Sequence, residues 1–158
     1  MKAYRAAILR FAPDCDPRAC AVLEDDGLLV VGPSARGIQV VQAVGPYHEL
    51  RPRFADVAVT HWPGRIIAPG FVDLHSHYPQ TNVIGSPADG LLPWLENYTF
   101  PEEKRFAAQE YCAQAATFFI AEMLRHGITT ALTFATSHPT SVQALFLEAQ
   151  KQRLRLIT

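Results

Sequence analysis

The stretch "GITTALTFATSHPTSVQALFLEAQKQRLRLIT", residues 127–158, decides the fold class. Its opening, 128–136, is rich in β-branched and apolar residues and reads as a strand. Pro139 then opens the segment 139–152, in which Val142, Leu145, Phe146 and Ala149 recur at spacings of three and four. That spacing predicts a helix with one apolar face, started by proline. "RLRLIT", 153–158, begins a further strand. A strand, a helix and a strand in succession join neighbours that run parallel.

The same rhythm extends towards the N-terminus. "FPEEKRFAAQEYCAQAATFFIAEMLRHG", 100–127, carries Phe106, Ala113, Ala116, Phe119, Ile120, Met123 and Leu124 on one helical face. Pro101, Glu102 and Glu103 suit a first turn, and with Lys104 are expected to be solvated. Arg125 and His126 before Gly127 mark the helix end. Upstream lies a long loop with Pro79, Gly85, Pro87, Gly90 and Pro93. Before it, "RIIAPGFVDLH", 65–75, ends in the apolar run of a buried strand. Residues 66–158 thus predict a parallel α/β arrangement of strand, helix, strand, helix, strand. A closed parallel barrel needs eight strands and about 250 residues. Three strands do not close, so the expectation is a small open α/β protein or the N-terminal piece of something larger.

Before residue 65 the sequence reads as short strands and turns. "AYRAAILRF" (3–11) predicts a strand, and "FAPDCDPRAC" (11–20), with Pro13 and Pro17, a loop. In "AVLEDDGLLVVG" (21–32) two apolar runs flank Asp25-Asp26-Gly27, a hairpin signal. "GIQVVQAV" (37–44) and "FADVAVTHW" (54–62) are further strand-like runs, with Pro46, Pro52 and Pro63 between or after them. Residues 1–65 therefore predict part of an antiparallel sheet or small β-sandwich.

Composition narrows the function classes. The apolar fraction, 49% of 158 residues, supports a sizeable core. Lys+Arg 14 against Asp+Glu 15 gives a formal net charge of -1, which offers no field of one sign to nucleic acid or a membrane surface. No apolar run approaches the roughly 18 residues of a bilayer span. The basic start "MKAYRAAILRFAPDCD" lacks a long apolar core, which predicts no secretory signal. Cys15, Cys20 and Cys112 form no CxxC pair, and reduced thiols in a cytoplasmic protein are expected.

"PGFVDLHSHYPQ", 69–80, carries the chemistry. In an extended strand, residues i and i+2 share a face roughly 6.5 Å apart. His75 and His77 therefore project together, with Ser76 turned away. Two converging imidazoles can share an ion at about 2.0–2.1 Å each. Neutral imidazole suits zinc, with iron and nickel as alternatives. The pair ends its strand, where α/β folds place their chemistry. Spacing alone is a weak signal, which a surface HxH that binds nothing also satisfies, and the place after an apolar strand and ahead of a long loop strengthens it. Asp73 shares the strand face, either as a carboxylate that orients a ligand from behind or as a buried structural one. His138 suits the start of the following helix, and His126 a helix end. His48 and His61 have no partner pattern.

"APGFVDLHSHYPQ" (68–80) resembles the first-strand signature of the amidohydrolase superfamily, metal-dependent barrels with an HxH pair ending strand one. "HYPQTNVIGSPADGLLPWLENYTFPEEKRF" (77–106) and "HGITTALTFATSHPTSVQALFLEA" (126–149) are similar, more narrowly, to the guanine deaminases. The most discriminating parts are "LPWLENYTFPEEKRF" (92–106) and "TTALTFATSH" (129–138). The resemblance covers 65–158 well and the N-terminal part more loosely. It implies an N-terminal portion of such an enzyme: part of a β-sandwich, then the first units of a (β/α)8 TIM barrel. It implies hydrolysis of guanine to xanthine and ammonia in purine catabolism, with one Zn2+ per subunit, in a cytoplasmic homodimer without nucleic-acid or membrane partners. His75 and His77 become metal ligands by this resemblance. His77, Tyr78, Pro79 and Gln80 line the substrate site, with the Gln80 amide on the purine edge. Trp94 walls the pocket or packs in the core. The remaining ligands, the proton-carrying glutamate and aspartate, and an arginine contact to guanine are expected beyond residue 158, so the 158 residues alone are expected to be inactive. Ser76 and Asn82 depart from the residues usual among relatives. A truncated, non-catalytic metal-binding fragment and another aminopurine or triazine deaminase are the alternatives.

Overall fold

The computed structural model describes residues 1–12, 16 and 19–158. Pro13, Cys15 and Pro17, from the loop expected at 11–20, lie outside the described residues. The chain divides into two compact units, Met1–Pro69 and Gly70–Thr158.

The first unit is a four-stranded sheet in the order β3-β2-β1-β4. Its strands are β1 (Lys2–Phe11), β2 (Ala21–Pro33), β3 (Gln39–Pro46) and β4 (Val59–Ile67), with a short helix α1 (Tyr47–Leu50) and a 3-10 turn (Arg51–Phe54) before β4. Ala3, Leu28, Val30 and Leu50 form its buried cluster. Two expectations are corrected here. First, "AVLEDDGLLVVG" does not fold into a hairpin: β2 runs straight through Asp25-Asp26-Gly27. Gly27 lies against Ile8, where any Cβ would clash with the isoleucine side chain. Asp26 pairs with Arg5 at 2.7 Å and Glu24 with Arg10 at 2.6 Å, and the register with β1 shifts at Asp25-Asp26, so the acidic run makes an irregularity in the ladder and not a turn. Second, the sheet is not wholly antiparallel, because β4 pairs with β1 in parallel. The helical connection between β3 and β4 is long enough to bring the chain back in the direction of β1. The strand expected over 54–62 starts only at Val59 for the same reason.

In the second unit, β5 (Phe71–His77), β6 (Ile128–Phe134) and β7 (Arg155–Ile157) form a parallel sheet in the order β5-β6-β7. Between β5 and β6 come a 3-10 turn (Tyr78–Val83), α2 (Leu91–Trp94), a π turn (Leu95–Thr99), α3 (Phe100–Lys104), a 3-10 turn (Arg105–Ala107) and α4 (Gln109–Arg125). α5 (Pro139–Gln152) links β6 to β7 and matches its expected bounds, with Pro139 in the first turn. The core joins Tyr78, Phe106, Cys112, Ala116, Phe119, Ile120, Ala131 and Leu145 across the turn, both long helices and β6.

The helix expected over 100–127 is interrupted at Ala108, which is extended at φ −89° and ψ 119°. The interruption turns Phe106 inwards, edge-on to both Tyr78 and Tyr111. Ala113 and Phe146, expected on buried faces, are exposed. β5 is also more exposed than its apolar run predicts, with Phe71, Val72 and Leu74 open to solvent, because it is an edge strand here. The largest surprise is Glu102. Expected in a solvated turn, it is only 7% exposed. Its Oε1 accepts from Asn82 Nδ2 at 3.1 Å and from the Tyr111 hydroxyl, and its Oε2 accepts from Arg105 Nη1 at 2.9 Å. Those donors replace the lost water. Among the described residues no helix is long and apolar enough to cross a membrane.

Gly127 ends α4 at φ +80°, and its N–H donates to Leu124 O at 3.0 Å. This left-handed backbone disfavours every residue with a Cβ. Gly127→Ala is expected to lower unfolding free energy by about 1–2 kcal/mol in urea titration. Burial works against the charge of Glu102, but hydrogen bonds from Tyr111, Asn82 and Arg105 outweigh it and hold the carboxyl below the usual range. A depressed folded pKa gives stability that is present above the ordinary glutamate value, about 4.3, and lost as pH falls through the folded value. Glu102→Gln is therefore expected to flatten the acid limb of stability against pH below about 4.3. An unchanged acid limb would contradict a charged Glu102.

Candidate functional site

The site grows from the pairing of β5 with β6. Ser76 faces Thr133 and His77 faces Phe134 in the parallel ladder. The Ser76 hydroxyl lies 2.8 Å from Thr133 Oγ1, so Ser76 turns towards β6 and the flanking histidines turn the other way. The ladder is irregular between Asp73 and Ser76. There the Asp73 carboxylate accepts the His75 backbone N–H at 3.0 Å. Asp73 therefore shapes the backbone beneath His75 rather than meeting its ring.

The two imidazoles converge at the C-terminal end of β5, with Nε2 of His75 and Nε2 of His77 3.1 Å apart. Phe134 supports both rings. It stacks on His77 at 4.7 Å between centroids and 16° between planes, and lies 5.3 Å from the His75 ring. Two nitrogens about 2.05 Å from a shared ion stand about 2.9 Å apart at a right angle and about 3.35 Å apart at the tetrahedral angle. The observed spacing falls between these limits, so the pair fits one divalent ion such as zinc. Among the described residues no group of three or more His, Cys, Asp or Glu side chains stands ready to hold a metal. The pair supplies two ligands.

His77 ends the strand, and the 3-10 turn Tyr78–Val83 follows with Pro79 as its second residue. The Tyr78 ring is wholly buried against Phe106 and Phe119. Its hydroxyl donates towards Cys112 O at 3.5 Å and Ser141 O at 3.4 Å, and burial pushes its pKa up. Tyr78 is buried as a whole residue, and Pro79 is likewise buried. Gln80 is half-buried, with its amide Nε2 3.4 Å from His77 Nδ1. The structure thus brings His75, His77 and Gln80 together and turns the Tyr78 side chain into the core. Trp94 is half-buried in α2. His138 precedes α5, its carbonyl accepting from Ser141 N at 3.0 Å, and with Phe100, Glu103 and Lys104 it lines a cleft of about 200 Å3. His126 follows α4, its Nδ1 2.8 Å from Glu122 O.

Sequence reasoning missed Phe134 and the cluster of Asn82, Glu102 and Tyr111. Phe134 was within reach of pattern reasoning, since it closes the strand next to the histidines. The cluster carries no local signal: its members lie 20 and 9 residues apart and meet only through the break at Ala108.

Comparison with known proteins bears on the family of the chain. The sequence model of the amidohydrolase family matches residues 66–158. The guanine deaminase of Escherichia coli (strain K12) is 40% identical over 134 residues, covering 84% of this chain and 29% of that protein. A solved E. coli guanine deaminase superposes with a TM-score of 0.84 at 35% identity, over 99% of this chain and 36% of that one. A guanine deaminase from C. acetobutylicum, solved with guanine in its active site, gives a TM-score of 0.78 at 28% identity, over 98% of this chain and 35% of that one. The chain spans about a third of the length of these relatives. With the family pattern running from the end of β4 through the histidine pair to the last residue, this chain belongs to the amidohydrolase family.

Proposed function

We propose that the protein carrying this chain is a guanine deaminase, which hydrolyses guanine to xanthine and ammonia in purine catabolism. The observation that carries the reading is the convergence of His75 and His77 at 3.1 Å with Gln80 beside them, in a chain so similar to guanine deaminases. In this reading residues 1–65 belong to a β-sandwich and residues 66–158 form the first units of a (β/α)8 barrel. The exposed Phe71, Val72 and Leu74 of β5 and Ile157 of β7 support it, since such a barrel covers both edges. The protein acts in the cytoplasm, as a homodimer with one zinc per subunit, on a small-molecule substrate, without nucleic-acid or membrane partners.

His75 and His77 would hold the zinc. When bound, zinc supplies a Lewis acid that brings the pKa of water towards 7. The chain's own residues do the rest of what is visible. For His77 Nε2 to offer its lone pair, the ring proton must sit on Nδ1, facing Gln80. In the orientation with Nε2 3.4 Å from Nδ1 two donors would face each other, so the Gln80 amide must turn end for end; its carbonyl oxygen then accepts the Nδ1 proton and its NH2 is free to donate to the purine edge. Phe134 keeps both rings from swinging and removes water from one side. The proton carriers and the further ligands come from residues beyond 158 in this reading.

Purified at full length, the protein is expected to hold about one zinc per subunit and to release xanthine and ammonia from guanine. His75→Ala and His77→Ala are each expected to cut kcat/KM by more than about 100-fold, with loss of zinc. Turnover of another aminopurine or a triazine, with guanine untouched, would overturn the substrate assignment. The 158-residue chain by itself is expected to form no xanthine, because two imidazoles leave the metal site incomplete. Xanthine formation by that chain at the full-length rate would contradict the site described here.

A further inference from the structure

We propose that Glu102, Tyr111 and Asn82 form a positioning device that fixes the Tyr78–Val83 turn, and so holds the Gln80 amide beside His77. The idea rests on the guanine deaminase reading only for what Gln80 then does. The turn is a single stretch of six residues after β5. One end is set by His77 and the buried ring of Tyr78. At the other end, Asn82 Nδ2 donates to Glu102 Oε1 at 3.1 Å and to the Tyr111 hydroxyl at 2.7 Å. Glu102 belongs to α3 and Tyr111 to α4, so the turn is fastened to two helices at one amide.

Each member of the cluster is satisfied in one sense only. Asn82 must present its NH2, since its carbonyl oxygen would face a carboxylate. Tyr111 accepts from Asn82 and donates to Glu102. Arg105 closes the group from outside, its Nη1 2.9 Å from Glu102 Oε2 and its guanidinium 4.0 Å above the Tyr111 ring. An apolar patch would pack the turn without desolvating a carboxylate, but would not fix its rotation. Gln80 needs that rotation fixed, because its own contact, 3.4 Å to His77 Nδ1, is weak.

The test uses the zinc-loaded, full-length protein with Asn82→Ala, Tyr111→Phe, Glu102→Ala and Glu102→Gln. Amide hydrogen exchange is read first, because it needs no substrate. Exchange across 78–83 is expected to quicken about tenfold or more in Tyr111→Phe and Asn82→Ala, with α4 and β6 unchanged. Unchanged exchange in the turn would overturn the proposal. So would uniform loosening of the whole unit in every variant, which marks a purely structural role. Kinetics with guanine come next. KM is expected to rise about tenfold with kcat kept within about threefold, and Asn82→Ala is expected to add nothing to Gln80→Ala. Glu102→Gln keeps an acceptor and should recover part of what Glu102→Ala loses. A fall in kcat alone, or additive effects of the Asn82 and Gln80 changes, would overturn the proposal. If the unaltered protein ignores guanine, the function reading fails separately, and the exchange data still decide the positioning role.

Discussion

The structure of the site depends on one pairing, β5 beside β6 in parallel register. The hydroxyl contact between Ser76 and Thr133, 2.8 Å, pins the middle residue of the His-Ser-His triplet to the neighbouring strand. With Ser76 held there, strand geometry sends His75 and His77 to the same side. Phe134, paired with His77, then meets both rings. A slip of one residue would exchange the faces and bury the imidazoles instead. The core beneath β6 guards against that slip: Ala131 and Thr133 are buried among α4 and α5 residues that a shifted strand would not fit.

The turn after β5 is held by two different kinds of force. Tyr78 enters the core as a large apolar plug, edge-on to Phe106 and against Phe119. Burying such a ring contributes on the order of 2–3 kcal/mol and fixes where the turn begins. Glu102 works through direction rather than area. Removing its carboxylate would leave the Tyr111 hydroxyl without an acceptor and Asn82 with only the Tyr111 oxygen, a loss of about 1–3 kcal/mol. Packing sets the position of the turn, and hydrogen bonds set its orientation.

Much of the second unit was legible in the sequence because its signals are local. The bounds of α5 came from Pro139 and the spacing of Leu145 and Ala149, and the end of α4 from Gly127. The convergence of His75 and His77 came from strand periodicity alone. Features that depend on distant partners were not legible. The break at Ala108 answers to the burial of Phe106, and the burial of Glu102 answers to Tyr111 and Asn82. In the first unit, Asp25-Asp26-Gly27 carries a strong turn signal that loses to β1, because Arg5 and Arg10 pair with the acidic residues and Ile8 occupies the space above Gly27. The parallel return of β4 has no local signal, since the direction of an edge strand is set by the length of the connection before it.

The central claim is that the last turn of β5 is half of a metal site. The most direct measurement is anomalous diffraction at the zinc edge from crystals of the full-length, zinc-loaded protein. The account predicts one peak lying about 2.0–2.1 Å from both His75 Nε2 and His77 Nε2, with the Gln80 amide still against His77 Nδ1. A peak held by only one of these histidines, or by neither, would contradict it.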